Sequence, residues 1–178
     1  MKKMIVFVAC AMLAAITQAA AVGWSLAGAA GNSGDAYQFF VIGQNGVTYI
    51  AQITALLDAG TDVSSYAFGS GNVAGNGAVT QAAATSGKSL ADAGTYTTFF
   101  VVYDTATFKA EESKYAVVSG ASTLTKTISA SSASVTFAAG NASSILNNAD
   151  NWKATPEPTS ASLLVLGVAA LALRRKRA

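Results

Sequence analysis

Three groups of side chains in this 178-residue chain have residue types and spacing that could do chemistry. Glu111 and Glu112 adjoin in FKAEESKY, and paired carboxylates can divide acid and base work at a glycosidic bond. Ser86, Lys88 and Ser89 in SGKS set hydroxyls beside an amine, the material of a Ser-Lys dyad if the lysine is buried and its pKa lowered. Gly69, Gly71 and Ala74 in GSGNVA fit the G-x-G-x-x-A spacing of a dinucleotide-binding turn. Each fails on context. Adjacent strand residues point to opposite faces, so the two glutamates make a poor pair and read as a solvated loop. SGKS reads as a flexible, exposed loop. No strong buried strand precedes GSGNVA, and further glycines and asparagines follow it, so it too reads as a flexible loop. The chain has no histidine, and its one cysteine, Cys10, lies near the start. That excludes Ser-His-Asp and Cys-His mechanisms and His-ligated zinc, copper or iron from the body. So thin an inventory points away from an enzyme: no catalytic residue, cofactor or metal site is expected.

The segments that would position these side chains read mostly as strands. YQFFVI (residues 37–42) and TYTTFFVVYD (95–104) are rich in aromatic and β-branched residues and bounded by glycine and aspartate, and the second is apolar on both faces, as a central strand is. Further strands are expected over 23–27, 115–118, 123–129 and 134–138. Lys126 falls on the apolar side of its alternating segment, which marks an edge strand. One segment departs from this pattern. Val47, Ile50, Ile53 and Leu57 recur at helical spacing, with Asn45 or Thr48 as N-cap and Gly60 as the stop, which predicts a single helix over about 47–59 covering a sheet face or an open edge. Trp24 and Trp152, near the two ends of the body, are either anchors that pin the outer strands to the core or platforms for sugar rings. An exposed tryptophan sharing a cleft with paired carboxylates would favour a carbohydrate site. Buried, separate tryptophans with scattered acids would favour a purely structural domain.

The net charge of +2 sits in the chain ends. Between Val22 and Thr155, five lysines face eight acids, a balance of −3, so the body has no electrostatic footprint for nucleic acid. At the start, Lys2 and Lys3, an apolar core over 4–16 and the small residues Ala19, Ala20 and Ala21 form a secretory signal peptide, with cleavage after Ala19 or Ala21. Thirteen apolar residues reach about 20 Å as a helix, short of a roughly 30 Å hydrocarbon core. Cys10 lies inside that core, so the mature chain has neither thiol nor disulfide.

At the other end, residues 159–173 are uncharged and span about 22 Å as a helix, and the basic side chains that follow can snorkel and hold the C-terminus on the cytoplasmic side. The only prolines, Pro156 and Pro158, hold an extended segment just ahead of this run. Pro156-Glu157-Pro158, the apolar run and the closing Arg174-Arg175-Lys176-Arg177, behind a secretory leader, resemble the PEP-CTERM sorting signal of Gram-negative bacteria. The resemblance covers about the last two dozen residues. It implies a sorting motif at Pro156, Glu157 and Pro158 and a membrane stop at Arg174, Arg175, Lys176 and Arg177. The implied partner is an exosortase-type membrane transpeptidase that cuts near the motif and releases a transiently inner-membrane-anchored protein to the cell exterior, usually in bacteria that make exopolysaccharide.

The expected architecture is a signal peptide over 1–21, an exported body over 22–154 and a sorting signal over 155–178. The body is expected to be mainly β, a small antiparallel β-sandwich-like domain with one helix, flanked by the signal helix and the membrane helix. The expected role is that of a non-catalytic cell-surface or extracellular-matrix protein associated with exopolysaccharide. The alternative is a secreted carbohydrate-binding or carbohydrate-cleaving domain.

Overall fold

The structure is a computed structural model that describes residues 19–27, 30–110 and 112–155. The expected leader core, the expected sorting motif at Pro156–Pro158, the run 159–173 and the expected membrane stop at 174–177 lie outside these residues. Among the described residues, no helix is long and apolar enough to cross a membrane. In chain order the elements are strand β1 (Ala20–Leu26), β2 (Ala36–Val41), helix α1 (Ile50–Asp58), β3 (Gly69–Asn72), β4 (Val79–Gln81), the one-turn helix α2 (Ala83–Ser86), β5 (Ser89–Leu90), β6 (Gly94–Tyr103), β7 (Lys114–Val118), β8 (Thr125–Ile128), β9 (Ser134–Ala139), helix α3 (Ala142–Leu146) and β10 (Lys153–Ala154).

β6 is the axis of the molecule. It pairs with β2 on one side, and with β8 along its first half and β7 along its second half. With β3 beyond β2 and β10 beyond β7, these strands form a six-stranded antiparallel sheet. Because strand side chains alternate, the run FFVVY supplies both faces of this sheet at once. On one face Phe39, Phe100 and Val102 pack with Trp24 and Leu26 of β1 and Phe137 of β9. On the other face Phe40, Phe99, Val101 and Tyr103 pack with Ile53 and Leu57 of α1 and with Val47 and Val63. Phe40 and Phe99, opposite each other in the ladder, stack with ring centroids 4.9 Å apart. Burying each such side chain stabilises the fold by ~1.5–3 kcal/mol.

The second sheet has four strands, with β1 between β4 and β5 on one side and β9 on the other. Here the expectation of a wholly antiparallel fold is corrected: β1 and β9 run parallel from Ala21↔Ser134 to Leu26↔Ala139. A parallel pair needs a long crossover, and nearly the whole body lies between these two strands. The single predicted helix over 47–59 also needs correction. α1 begins at Ile50, and the short helices α2 and α3 accompany it. Asn45 and Gly46 have left-handed φ values of 49° and 80°, which turn the chain before the helix can start. Gln52 then braces that turn, accepting from the Thr48 N–H at 2.8 Å and donating to the Gly46 carbonyl at 2.9 Å. Val47 therefore reaches the core from the turn. The predicted stop at Gly60 is observed: with φ 72° it lets the Gly60 and Thr61 N–H groups return to the Leu57 and Leu56 carbonyls, a Schellman closure.

Candidate functional site

The predicted flexible loop GSGNVA is a third correction to the sequence reading. Its first four residues are β3, paired with β2 from Ala36↔Asn72 to Phe39↔Gly69. Its glycines serve close approach. A Cβ on Gly69 would stand 2.5 Å from two carbons of the Trp24 ring, and one on Gly71 would stand 3.1 Å from the Tyr37 ring. Trp24 is thus a core anchor: 3% exposed, stacked on Phe39 at 5.0 Å, and donating its indole N–H to the Tyr37 hydroxyl at 3.2 Å.

Trp152 has a different setting. It is half-buried, held by a 2.8 Å bond from its indole N–H to the Leu146 carbonyl at the end of α3. It lines an open groove of about 470 Å³ together with Asn32, Asp35, Asp104, Lys114 and Asn147. Pairing between β2 and β6 explains this convergence. Asp35 immediately precedes β2 and Asp104 immediately follows β6, and the register Tyr37↔Val102 sets the start of one strand beside the end of the other. Both carboxylates therefore lie at the same end of the sheet, and the α3–β10 connection brings Trp152 to meet them.

Each carboxylate is fixed by a hydrogen bond. Asp35 accepts from the Asn32 side-chain amide at 2.7 Å, and Asp104 accepts from the Lys114 backbone N–H at 2.6 Å. Burial pushes the Asp35 carboxyl above the ordinary carboxylate range; the Asn32 amide pulls it back, and the charge of Asp104 pushes it up again. The groove is lined by two aspartates, two asparagines, a lysine and a tryptophan, residue types suited to hydroxyl-rich ligands.

No family model, curated protein or solved structure matches this chain.

Among the residues singled out from sequence, Ala19 is exposed just before β1 and Ala21 lies inside that strand. Glu112 forms an exposed ion pair with Lys109 at 2.9 Å, while Glu111 lies outside the described residues. The Ser86 hydroxyl donates to the Ala83 carbonyl and accepts from the backbone N–H of Lys88, whose residue is exposed, so neither is set up as a catalytic partner of the other. Among the described residues, no three acidic, cysteine or histidine side chains are grouped to hold a metal ion. The residues that sequence reasoning missed are Asp35, Asp104, Asn32, Asn147 and Lys114. The aspartates were findable, since each borders one of the two most apolar strands, but only after those strands had been paired with each other.

Proposed function

We propose that this chain is an exported, non-catalytic cell-surface or extracellular-matrix protein whose body associates with exopolysaccharide through the groove of Asp35, Asp104 and Trp152. Export rests on the leader and on the PEP-CTERM-like tail, with an exosortase-type transpeptidase as the processing partner and the inner membrane as a transient anchor. The observation that carries the sugar association is the convergence of a half-buried tryptophan and two carboxylates in one groove. A secreted sandwich-like domain suits this role, since a rigid core of two packed sheets holds the groove residues in place.

A second reading, carbohydrate cleavage, has one observation in its favour: burial and a charged neighbour raise the proton affinity of one carboxylate of the pair, as a general acid requires. Binding is the better reading because both carboxylates already accept hydrogen bonds from their own surroundings, one of them from a strand backbone. Co-sedimentation of the purified protein with the polysaccharide of its own host tests this. Wild type should pellet with the polymer, Trp152→Ala and Asp104→Asn should lose at least tenfold in retention, and no reducing ends should accumulate. Release of reducing ends would establish the cleaving alternative, and no retention of wild type would refute the sugar association.

A further inference from the structure

Sequence alone leaves two leader junctions open, after Ala19 and after Ala21, and the register of β1 separates them. Ala20 pairs with Leu90 and Ala21 with Ser89, and these two positions make up the whole ladder between β1 and β5. On the other edge of the strand Ala21 faces Ser134, the first step of the parallel ladder with β9, and its N–H donates to the Ala133 carbonyl at 3.0 Å. Ala20 is fully buried, whereas Ala19 is exposed.

A cut after Ala21 would delete both partners of β5 and remove a buried methyl group. Leaving a strand without its ladder is costly. A cut after Ala19 keeps Ala20 and Ala21, and with them both ladder positions of β5 and the first step of the ladder with β9.

We propose that the leader is removed between Ala19 and Ala20, so that the exported protein begins at Ala20. The step is hydrolysis: water breaks the Ala19–Ala20 amide, leaving a carboxylate on Ala19 and an ammonium on Ala20. Ala19 and Thr17 then occupy the two positions before the cut where a leader peptidase takes small side chains. This inference rests on reading residues 1–21 as a signal peptide, and it adds that the fold itself needs Ala20 and Ala21.

The test is N-terminal sequencing and intact mass of the full-length chain secreted by a Gram-negative host. Loss of residues 1–19, with Ala20 as the first residue, is the expected result. A first residue of Val22 would overturn the assignment while leaving export intact. A product that still begins at Met1 would overturn the signal-peptide reading and the assignment with it.

Discussion

Replacing Gly69 by alanine tests whether the Trp24 anchor is packed as tightly as the geometry shows. The added methyl would stand 2.5 Å from two carbons of the indole. Carbon atoms rest at about 3.5–4.0 Å, so the overlap is about 1 Å or more. Packing opposes retreat of the Trp24 ring: it is 3% exposed, stacked on Phe39, and bonded to the Tyr37 hydroxyl. Relief therefore requires β3 to shift away from β2 or the ring to leave its stack, and such overpacking costs ~1–3 kcal/mol. The loss of chain entropy in the unfolded state offsets ~0.4–1 kcal/mol of this, because Gly69 does not have a left-handed φ and alanine can adopt its backbone. The middle of each range leaves a net loss of ~1 kcal/mol, a Tm decrease of ~3–5 °C for a domain of this size. Urea unfolding followed by tryptophan fluorescence and circular dichroism would measure it. In a Trp24→Phe background, which removes the two clashing carbons, the same substitution should cost markedly less, and the double-mutant cycle isolates the contact. A Gly69→Ala protein within 0.5 kcal/mol of wild type, with no coupling to position 24, would refute the packing argument.

Other outcomes follow from the same structure. Gly23→Ala should be more damaging than Gly69→Ala in the same unfolding assay, because its methyl would meet backbone atoms, the Ala83 nitrogen at 2.7 Å and the Gln81 oxygen at 2.8 Å, which cannot rotate away. Burial raises the pKa of the Tyr103 hydroxyl, with Asp62 adding to the shift; burial and a hydrogen bond to Asp58 raise that of Tyr115. Since the folded state holds these protons more tightly than the unfolded chain, the contribution of these two tyrosines to stability should be constant below about pH 10 and fall as pH rises above it; Tyr103→Phe should flatten that fall. The same substitution removes the 2.7 Å bond to the buried Gln38 side chain and should cost ~1–3 kcal/mol at neutral pH. For Asp35 the raised folded pKa means that the penalty of its charge appears as pH rises through the carboxylate range. Asp35→Asn should therefore stabilise the protein at neutral pH and make no difference in acid, as thermal melts across pH would show.

How much of this could be read from the residues depended on whether the deciding interaction was local. FFVVY announces a central strand because burial on both faces demands apolar residues at every position, and Thr98–Tyr103 are indeed all buried. Gly60 stopped its helix as predicted, since a left-handed residue is a local requirement. β3 was missed because its glycines answer to Trp24 and Tyr37, dozens of residues away, and nothing within GSGN records those rings. Lys126 was legible as an edge signal, and β8 pairs only with β6 among the described residues. The direction of pairing between β1 and β9 left no mark in either strand, because parallel and antiparallel neighbours ask for the same side chains there. The groove was hidden for the same reason: Asp35 and Asp104 meet through strand pairing, and Trp152 joins them through a turn that carries no apolar periodicity.

The way the body ends bears on how it would respond to force. Thr155 is buried and grips the Ser113 carbonyl with both its N–H and its hydroxyl, while β10 adds only two ladder positions against β7. Tension applied to the chain beyond Thr155 would load this short clasp first, long before it reached the β2–β6 centre. Lys114 pairs with Ala154 across the clasp, and Trp152 lies just upstream of it, so yielding there would pull apart one wall of the groove. Under the proposed function the tail tether and the groove would be mechanically in series: a body strained by that tether would release its bound sugar before it unfolded.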